Sequence, residues 1–244
     1  MHDPFLIIGG TGVVGSLAAQ HLRYLHPKLP LAIGSRSADK AARHASGLGN
    51  AIGVGIDSAK PGLGVDEDSS FSGVAVAASI RTTHAVGFAA RRGIPYTSIA
   101  TQFNEIGPKL AYHINNQGES VSLIQDTNYA GVVILAGLEA CASFADVDEL
   151  LVGVLMDDQD MGGESSVADA GDFGVKEPGI ILVDGTWRVP RDGAEKREFT
   201  LLDGSRYVGE SFPSIDAAEL AERTGAKSVR LDFAFGQSPG RLAT

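Results

Sequence analysis

Residues 5–22 run Phe5-Leu6-Ile7-Ile8, then Gly9-Gly10-Thr11-Gly12-Val13-Val14-Gly15, then Ser16-Leu17-Ala18-Ala19-Gln20-His21-Leu22, and read as strand, glycine turn and helix. Four consecutive apolar residues suit a strand buried on both faces of a parallel sheet. Val13, Leu17 and Leu22 fit one face of the helix that follows. Gly10, Gly12 and Gly15 fill the pattern G-x-G-x-x-G. There the first glycine permits a tight turn, the second lets the backbone approach a pyrophosphate, and the third lets helix and strand pack closely. The anion is then held by free N–H groups at the helix N-terminus. A turn glycine often answers only a need for positive φ, and this chain has 31 glycines. Context argues for more than a turn, because a second strand-like run, Leu31-Ala32-Ile33-Gly34, follows at the distance a βαβ unit requires.

The end of that second strand discriminates between dinucleotides. An NAD site presents Asp or Glu about 20 residues beyond the glycines, to accept from the ribose 2′-OH. Here the segment is Gly34-Ser35-Arg36-Ser37-Ala38-Asp39-Lys40, with Arg43 one turn further on. The strand end itself offers no acid. A 2′-phosphate would find the hydroxyls of Ser35 and Ser37, the guanidinium of Arg36 and the ammonium of Lys40, which are charge-assisted donors suited to phosphate. The cofactor expected is NADP rather than NAD. The competing reading makes Arg36 and Lys40 solvated surface charges.

Length and composition narrow the class. A chain of 244 residues accommodates one Rossmann-type domain and a smaller second one. Its formal charge of −10 argues against nucleic acid or an anionic membrane as the main partner. No secretory signal fits before Phe5 and no apolar run reaches the roughly 20 residues of a membrane-spanning helix, so a cytoplasmic protein is expected. The single cysteine, Cys141, has no disulfide partner and no zinc-ligand pattern around it, and reads as a buried helix position.

Along the chain, 38–48 reads as a helix and 51–57 as the third strand, ending at Asp57. Such a residue lies near the adenine edge of a cofactor, although an exposed turn-forming Asp competes with that reading. Residues 58–72 are rich in glycine and acid and carry only a weak helical signal. Residues 74–79, with the small Ala78 and Ser79 at their end, form a fourth strand against which a flat cofactor can lie. A helix capped by Thr82 or Thr83 follows, then a fifth strand over 94–100. A helix over 104–116 carries Ile106, Leu110 and Ile114 on one face, and a sixth strand spans 120–125. Strands alternating with helices make a Rossmann-type, doubly wound parallel sheet, an α/β domain over 1–126.

The pattern then changes. A helix over 132–144 and a strand over 147–156 precede a polar run over 157–166. Short strands at 180–183, 187–189 and 198–202 are separated by Asp184-Gly185, Asp192-Gly193 and Asp203-Gly204, steps that favour hairpin turns. A helix over 216–223 has Asp216 and Glu219 at capping-box spacing, and 228–235 alternates as a closing strand. Residues 127–244 are therefore expected to form a second α+β domain with a mixed sheet, for substrate binding or dimerisation.

With both halves read, the chain resembles the saccharopine dehydrogenase-like reductases. The residues that carry the resemblance are Gly9 to Gly15, Ser35-Arg36-Ser37-Ala38-Asp39-Lys40, Gly93-Ile94-Pro95-Tyr96 and Val183-Asp184-Gly185-Thr186-Trp187. The resemblance covers most of the chain, thinly in the second half. It implies hydride transfer to an imine or carbonyl of an amino-acid-like metabolite. Relatives commonly run on past the closing strand, which leaves a short member and a C-terminally truncated one both open.

A hydride-transfer site forms where strand C-termini meet a second domain. The candidates there are Arg81 and His84 after the fourth strand, Thr101 and Gln102 after the fifth, and Asp126, Asn128 and Tyr129 after the sixth. Arg81 could clamp a substrate carboxylate, and His84 or Tyr129 could pass a proton to the substrate. The competing readings make His84 a helix-start residue and Tyr129 interface core. The expected cofactor-binding set is Gly10, Thr11, Gly12, Val13, Val14, Gly15, Ser35, Arg36, Ser37, Lys40, Asp57, Ala78, Ser79 and Thr101. Tyr24 and Lys28 match Tyr-x-x-x-Lys, but they precede the second strand and Pro27 intervenes, so the match reads as accidental. No metal-ligand spacing is present. The reading is an NADP-dependent oxidoreductase with a small-molecule substrate, expected as a homodimer. The alternatives are a non-catalytic NADP-sensing regulator and a truncated cofactor-binding relative.

Overall fold

The computed structural model describes residues 3–80, 82–99, 103–116, 123–125, 131–156, 179–191, 195–212 and 214–236. The chain divides into two compact units, Met1–Asp126 and Thr127–Thr244.

The first unit holds β1 (Phe5–Ile8), α1 (Val13–Leu25), β2 (Leu31–Ser35), α2 (Ala38–Ser46), β3 (Ala51–Gly55), β4 (Gly73–Val76), α3 (His84–Arg91), β5 (Tyr96–Ser98), α4 (Phe103–Asn115) and β6 (Leu123–Gln125). Its sheet runs in the order β3-β2-β1-β4-β5-β6 with every pairing parallel. Strand order therefore reverses between β1 and β4, as in a Rossmann-type doubly wound sheet. Alternate residues of β1 serve opposite cores. Ile7 packs with Leu31, Ile33, Ala19 and Ala45 on one side. Leu6 and Ile8 pack with Val74, Val86 and Phe88 on the other. That two-sided burial is why the strand reads as an unbroken apolar run.

Three local expectations need correcting. The inner face of α1 is Gly15, Ala19 and the half-buried Leu22, while Val13 and Leu17 are 58% and 51% exposed. The reason is distance: a Cβ on Gly15 would lie 2.2 Å from the Gly9 carbonyl oxygen, so only small residues fit where helix meets sheet. On α4, Leu110 and Ile114 likewise face outward, at 45% and 53% exposure. Tyr112 turns inward instead and packs on Gly87 of α3, where a Cβ would sit 3.0 Å from the phenol ring. The third correction is at β4, which ends at Val76, so Ala78 and Ser79 stand in the loop beyond it. No helix links β3 to β4. Turns stabilised by Lys60 N–H and Leu63 N–H carry Leu63 and Phe71 into the core.

The second unit holds α5 (Val132–Cys141), β7 (Glu149–Met156), β8 (Ile181–Val183), β9 (Thr186–Arg188), β10 (Arg197–Thr200), β11 (Arg206–Ser211), α6 (Asp216–Thr224) and β12 (Ser228–Phe235). β12 is central, parallel to β7 along its whole length and antiparallel to β8 and β11. Val229, Leu231 and Phe233 face α5 and α6, with Cys141 half-buried against that core. Asp184 and Gly185 both have positive φ, as a type I′ hairpin between β8 and β9 requires. Asp203-Gly204 turns β10 into β11, whereas Asp192-Gly193 lies outside the described residues. The capping box does not form. Ile215 is the N-cap of α6, Ser214 Oγ accepts from the Asp216 N–H, and Glu219 pairs with Arg223.

Candidate functional site

The glycine turn stands at the C-terminal end of β1, beside the point where strand order reverses. The left-handed residue of the turn is Gly9, with φ of 80°, and not Gly10. A Cβ on Gly9 would clash with the Ala77 carbonyl and the Ala78 side chain at 2.9 Å. Gly10 is closed in by the Ile7 carbonyl oxygen at 2.9 Å. These two glycines are demanded by packing within the protein, and so is Gly15.

Gly12 differs. It is exposed, it is the N-cap of α1 with no side-chain cap, and a Cβ there would meet only the Gly9 carbonyl oxygen, at 3.3 Å. Its lack of a side chain leaves the first turn of α1 open from outside, where the free N–H groups of a 13-residue helix can receive an anion. α1 has no acid in its first turn, so nothing there repels a phosphate. Val13 and Val14 stand at its entrance, both more than half exposed.

Two hydroxyls connect this turn to the end of β2. Thr11 Oγ1 donates to Ser35 Oγ at 3.2 Å, and the backbone N–H of Ser37 donates to the same Ser35 oxygen at 3.4 Å. Ser37 is the N-cap of α2 and accepts from the Lys40 N–H. Arg36, Ser37 and Lys40 are exposed, and among the described residues neither cation has a carboxylate partner. The glycine turn, Ser35 and Arg36 thus stand at the C-terminal ends of the neighbouring strands β1 and β2, with no acid at the β2 end.

The remaining candidates divide. Asp57 accepts from the Ala59 N–H at 3.1 Å and pairs with Lys60 at 3.4 Å, which makes it a turn-forming residue in its own loop. His84 opens α3, and its Nδ1 lies 3.1 Å from the Ser58 carbonyl oxygen, which also accepts from Thr82 Oγ1. A carbonyl can only accept, so this bond places the proton on Nδ1 and leaves Nε2 as the free ring nitrogen. Thr83 makes no capping bond, whereas Thr82 Oγ1 accepts from the His84 N–H at 3.4 Å. Arg81, Thr101, Gln102, Asp126, Asn128 and Tyr129 lie outside the described residues. Among the described residues no group of acids, histidines or cysteine could hold a metal ion, and no helix is long and apolar enough to cross a membrane.

Sequence reasoning missed a polar cluster in the second unit. Asp232 is fully buried and accepts from Arg230 Nε at 2.7 Å, with Arg197 Nε 3.5 Å from its other oxygen. Burial pushes its carboxyl up, against the pull of both guanidiniums. Glu195 receives both Arg188 Nη groups at 3.0 and 3.3 Å and the Arg191 N–H, which hold its carboxyl down to about 2. The alternation of β12 was the available signal, since Arg230 and Asp232 interleave with its apolar residues.

No protein-family model matches the chain, and no curated protein matches it. Solved structures do. Saccharopine dehydrogenase (L-Glu forming) from Saccharomyces cerevisiae superposes with a TM-score of 0.63 at 11% identity, over 96% of this chain and 55% of that one. An oxidoreductase from Agrobacterium radiobacter, in complex with NAD+, L-tartaric acid and magnesium, gives 0.53 at 11% identity, over 98% and 68%. A myo-inositol dehydrogenase from Corynebacterium glutamicum gives 0.51 at 12% identity, over 96% and 68%. The chain spans little more than half the length of the yeast enzyme. At such identity, what is shared is the fold.

Proposed function

We propose that this protein is an NADP-dependent oxidoreductase, saccharopine dehydrogenase-like, acting on an imine or carbonyl of an amino-acid-like metabolite. The observation that carries the reading is the open helix N-terminus at Gly12 joined through Thr11 and Ser35 to an acid-free strand end bearing Arg36. The bound dinucleotide would supply the hydride. The protein supplies the rest: the α1 N–H groups hold the pyrophosphate, and Ser35, Arg36, Ser37 and Lys40 receive the 2′-phosphate. Ala78 and Ser79, in the loop beside Gly9, border the cofactor. Arg81 holds a substrate carboxylate, and His84 Nε2 or the Tyr129 hydroxyl moves a proton at the substrate heteroatom. A homodimer is part of the same proposal.

The test is a titration with NADPH and NADH followed by nicotinamide fluorescence, in the wild type and in Arg36→Ala. NADPH is expected to bind tighter, and the substitution to weaken it by about 10- to 100-fold, the worth of a charge-assisted hydrogen bond. Binding of neither dinucleotide would remove the basis of the reading.

A further inference from the structure

The second sheet has an edge that reads as an interior strand. β12, at its centre, sends Val229, Leu231 and Phe233 into the core under α5 and α6 and places Arg230 and Asp232 on the other face. β7 pairs with β12, and among the described residues no strand lies along its other side. Its sequence is Glu149-Leu150-Leu151-Val152-Gly153-Val154-Leu155-Met156. Leu150, Val152, Val154 and Met156 join the core, while Leu151 and Leu155 stand on the opposite face, Leu151 at 41% exposure. The edge strand is thus apolar on both faces, as strands inside a sheet are, and the central strand is not. The other edges of this sheet are guarded. β9 has only three residues and ends in Arg188, and β10 carries Arg197 and Glu198. Short length and charge keep an edge from pairing with another chain. β7 has eight residues and no charge after Glu149, so it presents a row of outward N–H and C=O groups that only another strand pairs in full.

The order of residues selects the occupant. From 150 to 156 the strand reads Leu-Leu-Val-Gly-Val-Leu-Met, nearly the same in both directions about Gly153. Residues directly opposed in an antiparallel pair point to the same face, so a two-fold axis normal to the sheet must pass through a residue position. We propose that a second copy of this chain covers the edge, with β7 antiparallel to its counterpart across an axis at Gly153, so that two sheets become one. Val152 then stands opposite the partner's Val154, Leu151 opposite the partner's Leu155, and Leu150 opposite the partner's Met156. Each position meets a side chain of its own kind and size, and no charge faces a like charge within the run. A segment that is its own complement under this rotation is what an isologous contact requires. The inference deepens the homodimer of the reading above by naming its surface, and it uses nothing of the dinucleotide site.

Sedimentation of the full chain over a concentration series tests the association. Leu151 and Val208 are both exposed, so Leu151→Lys and Val208→Lys should fold, which circular dichroism establishes. The expected result is a wild-type dimer with a dissociation constant at or below about 10 µM, weakened at least about tenfold by Leu151→Lys and unchanged by the same charge at Val208 on β11. Geometry is read separately, with nitroxide labels on Glu149→Cys in a Cys141→Ser background. Eight residues along the strand direction separate the two labels, so their electron–electron distance should fall at about 25–35 Å. A monomer throughout the series, a dimer that Leu151→Lys leaves intact, or a dimer with labels outside that range would overturn the proposal. An NADPH titration on the same samples keeps the two readings apart. A β7 dimer that binds no NADPH refutes only the oxidoreductase, and a monomer that binds NADPH refutes only the interface.

Discussion

Arg230 Nε donates to Asp232 Oδ1 at 2.7 Å on the strand at the centre of the second sheet, and the carboxylate has no exposure to solvent. Gly153 is the register partner of Asp232 on β7, and Phe199 lies on that glycine, with a Cβ there only 2.8 Å from its ring. Removing Asp232 takes one partner from Arg230, which keeps Glu195 at 3.5 Å, and takes the carboxylate beside the part-exposed Arg197, at a cost of about 1–3 kcal/mol. Asp232→Ala should lower the urea midpoint accordingly, and Gly153→Ala should destabilise by forcing Phe199 aside. An Asp232→Ala variant of wild-type stability would contradict this account of the pair.

Acid should act through Glu195. Its carboxyl is held to about 2, against an ordinary 4.5, by Arg188 and the Arg191 N–H. A depressed folded value means that the stabilisation is present above pH 4.5 and is lost as pH falls towards 2. Glu195→Gln should flatten the dependence of unfolding free energy on pH in that window. An unchanged slope would show that the pair does not couple to folding.

Two glycines of one motif should fail differently. Gly15→Ala places a Cβ 2.2 Å from a backbone oxygen and should destabilise by about 1–3 kcal/mol, as overpacking does. Gly12→Ala meets only one atom, at 3.3 Å, so its melting temperature should stay near that of the wild type while dinucleotide affinity falls. Equal loss of stability in both would remove the argument that Gly12 serves a ligand.

Leu63 is fully buried yet has φ of 58°, a conformation that bulky residues rarely adopt. Leu63→Ala should cost about 2–5 kcal/mol through the lost side chain. Glycine is ordinarily worse than alanine, but here it also relieves backbone strain. Leu63→Gly should therefore be at least as stable as Leu63→Ala in denaturant titrations, and a clearly weaker glycine variant would argue against strain at this position.

Arg23 donates to the carbonyls of five residues, from His26 to Asn50. Arg23→Met keeps much of the apolar stem and removes the donors, so it should cost about 1–3 kcal/mol and speed hydrogen exchange across 26–30 and 48–50. Lack of any change in exchange would mean that the loop holds its shape unaided.

Much of this molecule is legible along the chain because the forces that set it are local. The apolar run 5–8 reads as a buried strand from its composition alone, and the glycine turn and the Asp184-Gly185 reversal rest on backbone geometry within a few residues. The acid-free end of β2 is legible for the same reason, since Ser35, Arg36 and Ser37 are neighbours in sequence. Which face of a helix turns inward is not local. α1 carries apolar residues on more than one face, and its orientation is decided by how closely Gly15 and Ala19 let it approach the sheet. α4 is decided by the space that Gly87 leaves for Tyr112. Sheet order, the carbonyls gathered by Arg23, and the approach of Arg197 to the buried Asp232 likewise depend on residues far apart in the chain. Periodicity proposes a helix or a strand, and close packing between remote segments decides what that element buries.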